Sequence, residues 1–492
     1  MKKVRPCLIP LFVFFFSFAI RFFLISKGPY HVDCLGLVMQ IENSIEHGKL
    51  FYLYGLGYPL PLIFGILFVS GFKLFSLNDP FFAVNFMSVF FSASAAVVFY
   101  FLGKKLFNRT AGLISSLLLA FYPPFLGISV YGNSHSLYFF FLFLSLLMLA
   151  LFSEKNKPAS LILSAAFLGL SGACRIQDFC LMIIPVSVLF FPIQKNTIKN
   201  FLVFLSISLC TIFLFYLPLL TESVHSQSFS IFISFAQGGA AANFKGIISD
   251  SLKFSSKHFL ETLLWPGVLL SLMGFFRLFR ENKKIFLFLS LWFLIPLLFY
   301  GNLYSTVSRF LILPAAPLLL AQGYFLSKFS QINRFFRLAA LGLFLMILFI
   351  NTSFVISILE FRHRYALLPD YAKWIAQVTE PNAVIVGADH NPFIRYFGKC
   401  FCLDRPAGSV SSFDPAQLTE FKMKIDRYLL EGRPVYLTST GLYSYDPHKQ
   451  FSNFIKETYR IEKVGEMLCE DWHKGEMILA VGKQDLYRVD FK

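Results

Sequence analysis

The residues best suited to chemistry in this chain are few, and they sit beside long apolar runs. Asp33 lies in Tyr30-His31-Val32-Asp33-Cys34, directly after the first hydrophobic segment. A carboxylate at the mouth of a membrane segment is costly to keep there without a task, so a catalytic or binding role is one reading. The other is a helix N-cap, because Leu35, Leu37, Val38, Ile41 and Ile45 begin a helically spaced run just after it, which Gly48 ends. The two roles are compatible. Arg175 and Arg309 each stand at the end of an apolar segment, where a guanidinium needs an anion beside it; for Arg175 the neighbouring Asp178 is one candidate. His135 and Asn133 share the turn before another such segment, where a histidine moves protons or simply bonds a helix end. No Cys/His spacing suggests a metal site, and none is expected. Cys400 or Cys402 can pair with Cys469 if that part of the chain meets an oxidising compartment.

The elements that must position these residues are mostly apolar helices. The chain is 56% hydrophobic and carries 65 Phe, and its mean hydropathy is +0.63, values that exclude an ordinary soluble domain. From Val355 onward there are 18 basic and 18 acidic residues, so the whole formal excess of +16 lies before it. That distribution suits topology signals and anionic lipid rather than nucleic acid. Segments long enough to span fall at about 8–25, 81–102, 111–131, 135–152, 159–173, 179–193, 201–220, 262–276, 285–300, 310–327 and 338–357. Basic loops such as Lys104-Lys105, Lys155 to Lys157, Lys283-Lys284 and Arg334 to Arg337 occur at every second connection. The positive-inside rule makes these cytoplasmic, and with Lys2, Lys3 and Arg5 it puts the N-terminus inside as well. Residues 56–75 hold Pro59, Pro61 and glycines that make a poor continuous helix, so they are expected as a re-entrant or juxtamembrane element. The result is about eleven transmembrane helices over 1–357, with an outer loop at 26–80 carrying juxtamembrane helices. A second outer loop, 221–261, is expected to hold short interfacial helices.

The C-terminal part changes character. Period-2 apolar runs at Ala383–Ala388, Val435–Ser439 and Met477–Val481 predict strands. Asp414-Pro415 predicts a helix start, and Leu418, Phe421, Ile425 and Leu429 its buried stripe. Residues 358–492 are therefore expected as a soluble, extracytoplasmic α/β domain with no phosphate loop and no nucleophile elbow.

The order of features over roughly 1–350 resembles the C-type (GT-C) membrane glycosyltransferases, in particular the protein O-mannosyltransferases and aminoarabinose transferases. The likeness rests on Asp33 to Gly48, on Gly57-Tyr58-Pro59-Leu60-Pro61, and on Tyr100-Phe101-Leu102-Gly103-Lys104-Lys105-Leu106-Phe107-Asn108-Arg109. Gly172-Ala173-Cys174-Arg175 and Arg309-Phe310-Leu311-Ile312-Leu313-Pro314 add to it. The chain departs from the family at Cys34, where a second acid often follows the first, and at Asn133-Ser134-His135, where another acid is common.

The resemblance implies transfer of a sugar from a polyprenyl phosphate to a protein or glycolipid acceptor, with inversion, at the outer face of the cell (inner) membrane. Asp33 then corresponds to the general base. Arg175 and Arg309 are the candidates for the lipid phosphate, and His135, Asn133 and Tyr58 for substrate contacts. No cofactor beyond the lipid-linked donor is implied. The competing readings are a transporter or flippase of lipid-linked sugars, and a non-catalytic relative that binds the lipid carrier.

Overall fold

The computed structural model describes residues 8–51, 59–190, 197–221, 248–301, 309–406, 415–443, 446, 449–471 and 480–492. Fourteen helices come first among these: α1 (Leu8–Phe23), α2 (Val32–His47), α3 (Pro59–Leu74), α4 (Pro80–Leu106), α5 (Arg109–Ala120), α6 (Pro123–Ile128), α7 (His135–Lys155), α8 (Pro158–Cys174), α9 (Ile176–Val188), α10 (Thr197–Thr221), α11 (Ile248–Glu281), α12 (Lys283–Gly301), α13 (Ile312–Phe329) and α14 (Arg334–Arg364). Six of them are long and apolar enough to cross a membrane, and five further apolar helices are shorter. The chain is a polytopic helical membrane protein. It divides into two compact units, residues 1–25 with 37–360, and residues 26–36 with 361–492.

In the first unit, helices meet through aromatic rings and small residues. Hydrocarbon gives apolar helices no reason to leave it for one another, so close packing and hydrogen bonds must hold them. Phe86 of α4 contacts Phe18 and Phe22 of α1 and Phe68 and Phe72 of α3, with centroids 5.2–6.3 Å apart. Such pairs contribute about 0.5–1.5 kcal/mol each beyond area burial. Ser145 of α7 and Ser164 of α8 each donate to the other's carbonyl at 2.8 Å. Gly112 lets α5 close onto α4, since a Cβ there would run into the Tyr100 carbonyl.

Two expectations need correction. Residues 59–74 form an uninterrupted helix: Pro59 and Pro61 lie in its first turn, where a missing N–H costs nothing, and Gly65 leaves space that Ile41 occupies. The apolar run 111–131 is not one helix, because Pro123 and Pro124 end α5 and open α6. The apolar side of α2 is also enclosed by protein, with Leu35, Val38 and Ile41 fully buried. As expected, α2 ends at Gly48, whose φ of 62° is the left-handed conformation that closes helices. Residues 222–247, most of the second expected outer loop, lie outside the described residues, and α11 begins at Ile248.

The second unit contains α15 (Leu367–Val378), β1 (Val384–Val386), β2 (Phe401–Cys402), α16 (Pro415–Leu430), β3 (Val435–Thr438), α17 (Ser439–Tyr443), α18 (Gln450–Thr458), β4 (Tyr459–Asp471) and β5 (Ala480–Phe491). The sheet order is β2-β1-β3-β5-β4; β1 runs parallel to β2 and β3, and β5 runs antiparallel to β3 and β4. Phe421 and Ile425 pack on Val384, Val435, Leu437 and Ile455, with Leu418 and Leu429 at the margin, as the stripe predicted. Asp414 lies outside the described residues. No disulfide joins Cys400, Cys402 or Cys469.

Candidate functional site

The candidate residues form two clusters, one in each unit. In the second unit, Asp33 is not the N-cap. Helix α2 starts at Val32, and the His31 carbonyl accepts from the N–H groups of Cys34 and Leu35 at 3.0 and 3.2 Å. The capping side chain is the His31 imidazole, whose Nδ1 accepts from the Asp33 N–H at 3.1 Å. Asp33 therefore sits inside the first turn, where a carboxylate meets the positive end of the helix dipole. Its Oδ2 stands 3.2 Å from His31 Nδ1, and a quarter of its side chain is exposed.

The loop before it is anchored. The Lys27 N–H donates to the Arg362 carbonyl at 3.1 Å, and Lys27 Nζ donates to the Arg364 carbonyl at 3.4 Å. The Arg362 guanidinium lies 4.1 Å over the Tyr30 ring. Arg362 is itself buried, so Tyr30 serves as a platform for a cation.

In the first unit, Arg175 joins α8 to α9 and is 3% exposed. Its Nε donates to Asp178 Oδ2 at 2.6 Å, and Tyr300 donates its hydroxyl to the other carboxylate oxygen. Phe310 holds the cluster from one side: Tyr300 stacks on it at 4.9 Å, and Arg175 and Arg309 lie 5.5 and 5.4 Å from its centroid. Arg309 is less enclosed than Arg175. The His135 ring is 6.4 Å from the same phenylalanine.

Asn133 shapes the turn that presents His135. Its Oδ1 accepts from the His135 and Ser136 N–H groups at 2.9 and 3.3 Å, and its Nδ2 donates to the carbonyls of Ile128 and Tyr131. The same turn is tied to α4, where Asn85 and Ser88 accept from the N–H groups of Gly132 and Asn133. Asn133 is thus committed to the backbone. One turn along α7, the buried Tyr138 hydroxyl has no hydrogen-bond partner among the described residues, and it lies within range of the charges of Asp178 and Arg175. Tyr58 lies outside the described residues.

The structure thus brings together Arg175, Arg309 and His135 around Phe310, and holds Asp33 with His31. Asp178 was foreseen only as a neutralising neighbour. Tyr300, Tyr138 and Phe310 carried no local signal, being three aromatics in a chain full of them. His31 stood two places from Asp33, and a histidine at a helix start was the available clue. Among the described residues, no group of three or more His, Cys, Asp or Glu could hold a metal ion.

A family model described as dolichyl-phosphate-mannose-protein mannosyltransferase matches residues 61–220. No curated protein matches the chain. Among solved structures, the oligosaccharyltransferase of Archaeoglobus fulgidus, crystallised with Zn and sulfate, is similar with a TM-score of 0.62 at 14% identity, over 96% of this chain and 72% of that one. ArnT from Cupriavidus metallidurans, bound to undecaprenyl phosphate, gives 0.60 at 12% identity over 98% and 97%. The mycobacterial arabinofuranosyltransferase AftD gives 0.53 at 13% identity over 97% and 41%. The fold these proteins share, that of the C-type membrane glycosyltransferases, is the fold of this chain.

Proposed function

We propose that this protein transfers a hexose or pentose from a polyprenyl-phosphate carrier to a protein or glycolipid acceptor, with inversion, at the outer face of the cell membrane. The observation that carries this reading is the state of Asp33. Its carboxylate stands in the first turn of α2, where the helix dipole favours it, yet a quarter of the side chain remains open to an acceptor. A base must be both fixed and reachable.

In the step proposed, the acceptor hydroxyl attacks the anomeric carbon while its proton passes to Asp33. The bond from that carbon to the phosphate oxygen breaks, and the polyprenyl phosphate leaves as an anion. Arg309 receives that anion. Arg175, fixed by Asp178 and Tyr300, contributes positive charge from a set position. His135 and the unsatisfied Tyr138 hydroxyl offer hydrogen bonds to a ligand oxygen.

The likeness to ArnT, described with undecaprenyl phosphate, supports a polyprenyl carrier. The oligosaccharyltransferase described with an acceptor peptide supports a protein as one acceptor class. The test is Asp33→Asn in membranes supplied with labelled lipid-linked sugar. Transfer should fall by about two to four orders of magnitude, the usual range for a positioned base. Unchanged transfer would overturn the assignment.

A further inference from the structure

Helices α11 and α13 touch at Gly274, where any Cβ would collide with the Ala321 backbone. Beyond that contact they part into a cleft of about 570 Å³. Its walls are Leu272, Met273 and Phe276 from α11 and Phe325 from α13, and its head carries Arg277 and Arg280. Leu272, Met273 and Phe276 are each about half exposed or more on a helix apolar enough to cross a membrane, so they face hydrocarbon.

The polar end is arranged around one acid. Glu281 accepts from Arg277 Nε at 2.6 Å and from the Tyr324 hydroxyl, and Lys328 stands 3.6 Å away. Two cations and a tyrosine hydroxyl therefore share a single carboxylate. The Arg280 guanidinium lies over the Phe276 ring, 4.3 Å from its centroid, and has no acidic partner among the described residues. The Tyr324 ring lies 4.6 Å from that of Phe107, tilted against it, which puts the cleft at the same end of the bundle as Lys104 and Lys105.

The plain alternative is that these arginines complement the end of α11 and reach into water from an apolar helix. That account explains their charge but not a cleft whose apolar floor runs straight into a two-arginine head with excess positive charge. A phosphodiester matches the guanidinium geometry, and an acyl chain matches the floor. A zwitterionic headgroup would bring its own cation against Arg277 and Arg280.

We propose that this cleft is a binding site for an anionic two-chain phospholipid, its phosphate between Arg277 and Arg280 and one acyl chain along Phe276, Met273 and Phe325. The proposal does not depend on the transferase reading. The experiment uses the full chain in nanodiscs of phosphatidylcholine containing a minor fraction of phosphatidylglycerol with the same acyl chains. Retained lipid is counted by native mass spectrometry.

The unaltered protein should retain phosphatidylglycerol well above its share of the bilayer. Arg280→Gln, which breaks no ion pair, should lower that retention about fivefold, and Arg277→Gln with Arg280→Gln further, from the contribution of about one basic residue each. Lys157→Gln, an exposed change elsewhere, should have no effect. Equal retention of the two lipids, or the same loss from Lys157→Gln, overturns the proposal. So does displacement of the bound lipid by added polyprenyl phosphate, which would assign the cleft to a donor groove instead. Helix content by circular dichroism confirms that each variant is folded.

Discussion

Arg175 and Asp33 are both charges beside a membrane segment, and the protein treats them in opposite ways. Arg175 is enclosed and its charge is answered by Asp178, with Tyr300 completing the carboxylate. Asp33 is held at the edge, with one imidazole beside it and part of its surface open. Burying a charge fully obliges the fold to supply its counterion, and the pair then serves architecture first. Leaving a charge partly open keeps it available to a ligand. Exposure, more than charge itself, separates the enclosed ion pair from the candidate base.

The comparison can be broken most decisively at Asp178. Asp178→Ala would leave a buried guanidinium without its anion, at a cost of about 3–5 kcal/mol. Thermal unfolding of the detergent-solubilised protein should show a clear fall in Tm, whereas Asp33→Ala should leave Tm nearly unchanged. A stable Asp178→Ala protein would remove the distinction.

The second prediction compares the two arginines on Phe310. Arg309→Ala should raise the apparent KM for the lipid-linked donor about tenfold with little change in Tm, in line with one lost charge-assisted hydrogen bond of about 1.5–3 kcal/mol. Arg175→Ala should instead lower Tm, because it strands Asp178. Kinetics and unfolding measured on both variants sharpen the contrast, and identical profiles would erase it.

The smallest effect is expected at the platform under Arg362. Tyr30→Leu removes a cation–π contact of about 1–2 kcal/mol. Amide exchange over residues 26–36 should speed up by about an order of magnitude, with exchange in α7 and α8 unchanged. Equal protection in the variant would show that the backbone bonds from Lys27 suffice.

Much of the fold was legible because apolar runs of membrane length leave the chain few alternatives, and each expected segment has a helix within it. What misled was proline. Pro59 and Pro61 read as helix breakers, yet at the first turn they remove N–H groups that have no intrahelical partner anyway, while Pro123 and Pro124 do mark a break. The C-terminal helix stripe was readable from its spacing, since Phe421 and Ile425 are core residues. Asp33, Arg175 and Arg309 drew notice because charge is scarce there. The partners of the two arginines were hidden for the opposite reason: Tyr300 and Phe310 are ordinary residues in a chain with 65 Phe and 21 Tyr. Arg362 lies 332 positions beyond Tyr30, and no local pattern links residues that only the fold brings together.

The anchoring of the Asp33 loop also has a bearing on synthesis. Lys27 bonds to Arg364 across 337 residues, and Tyr30 waits for Arg362. A ribosome delivers the candidate base early but its fastenings only after nearly three quarters of the chain is made. Helices of the bundle can insert and pack during that interval, before these contacts to Arg362 and Arg364 can form. A chain cut short before residue 362 keeps the carboxylate and lacks the Arg362 and Arg364 contacts of its loop.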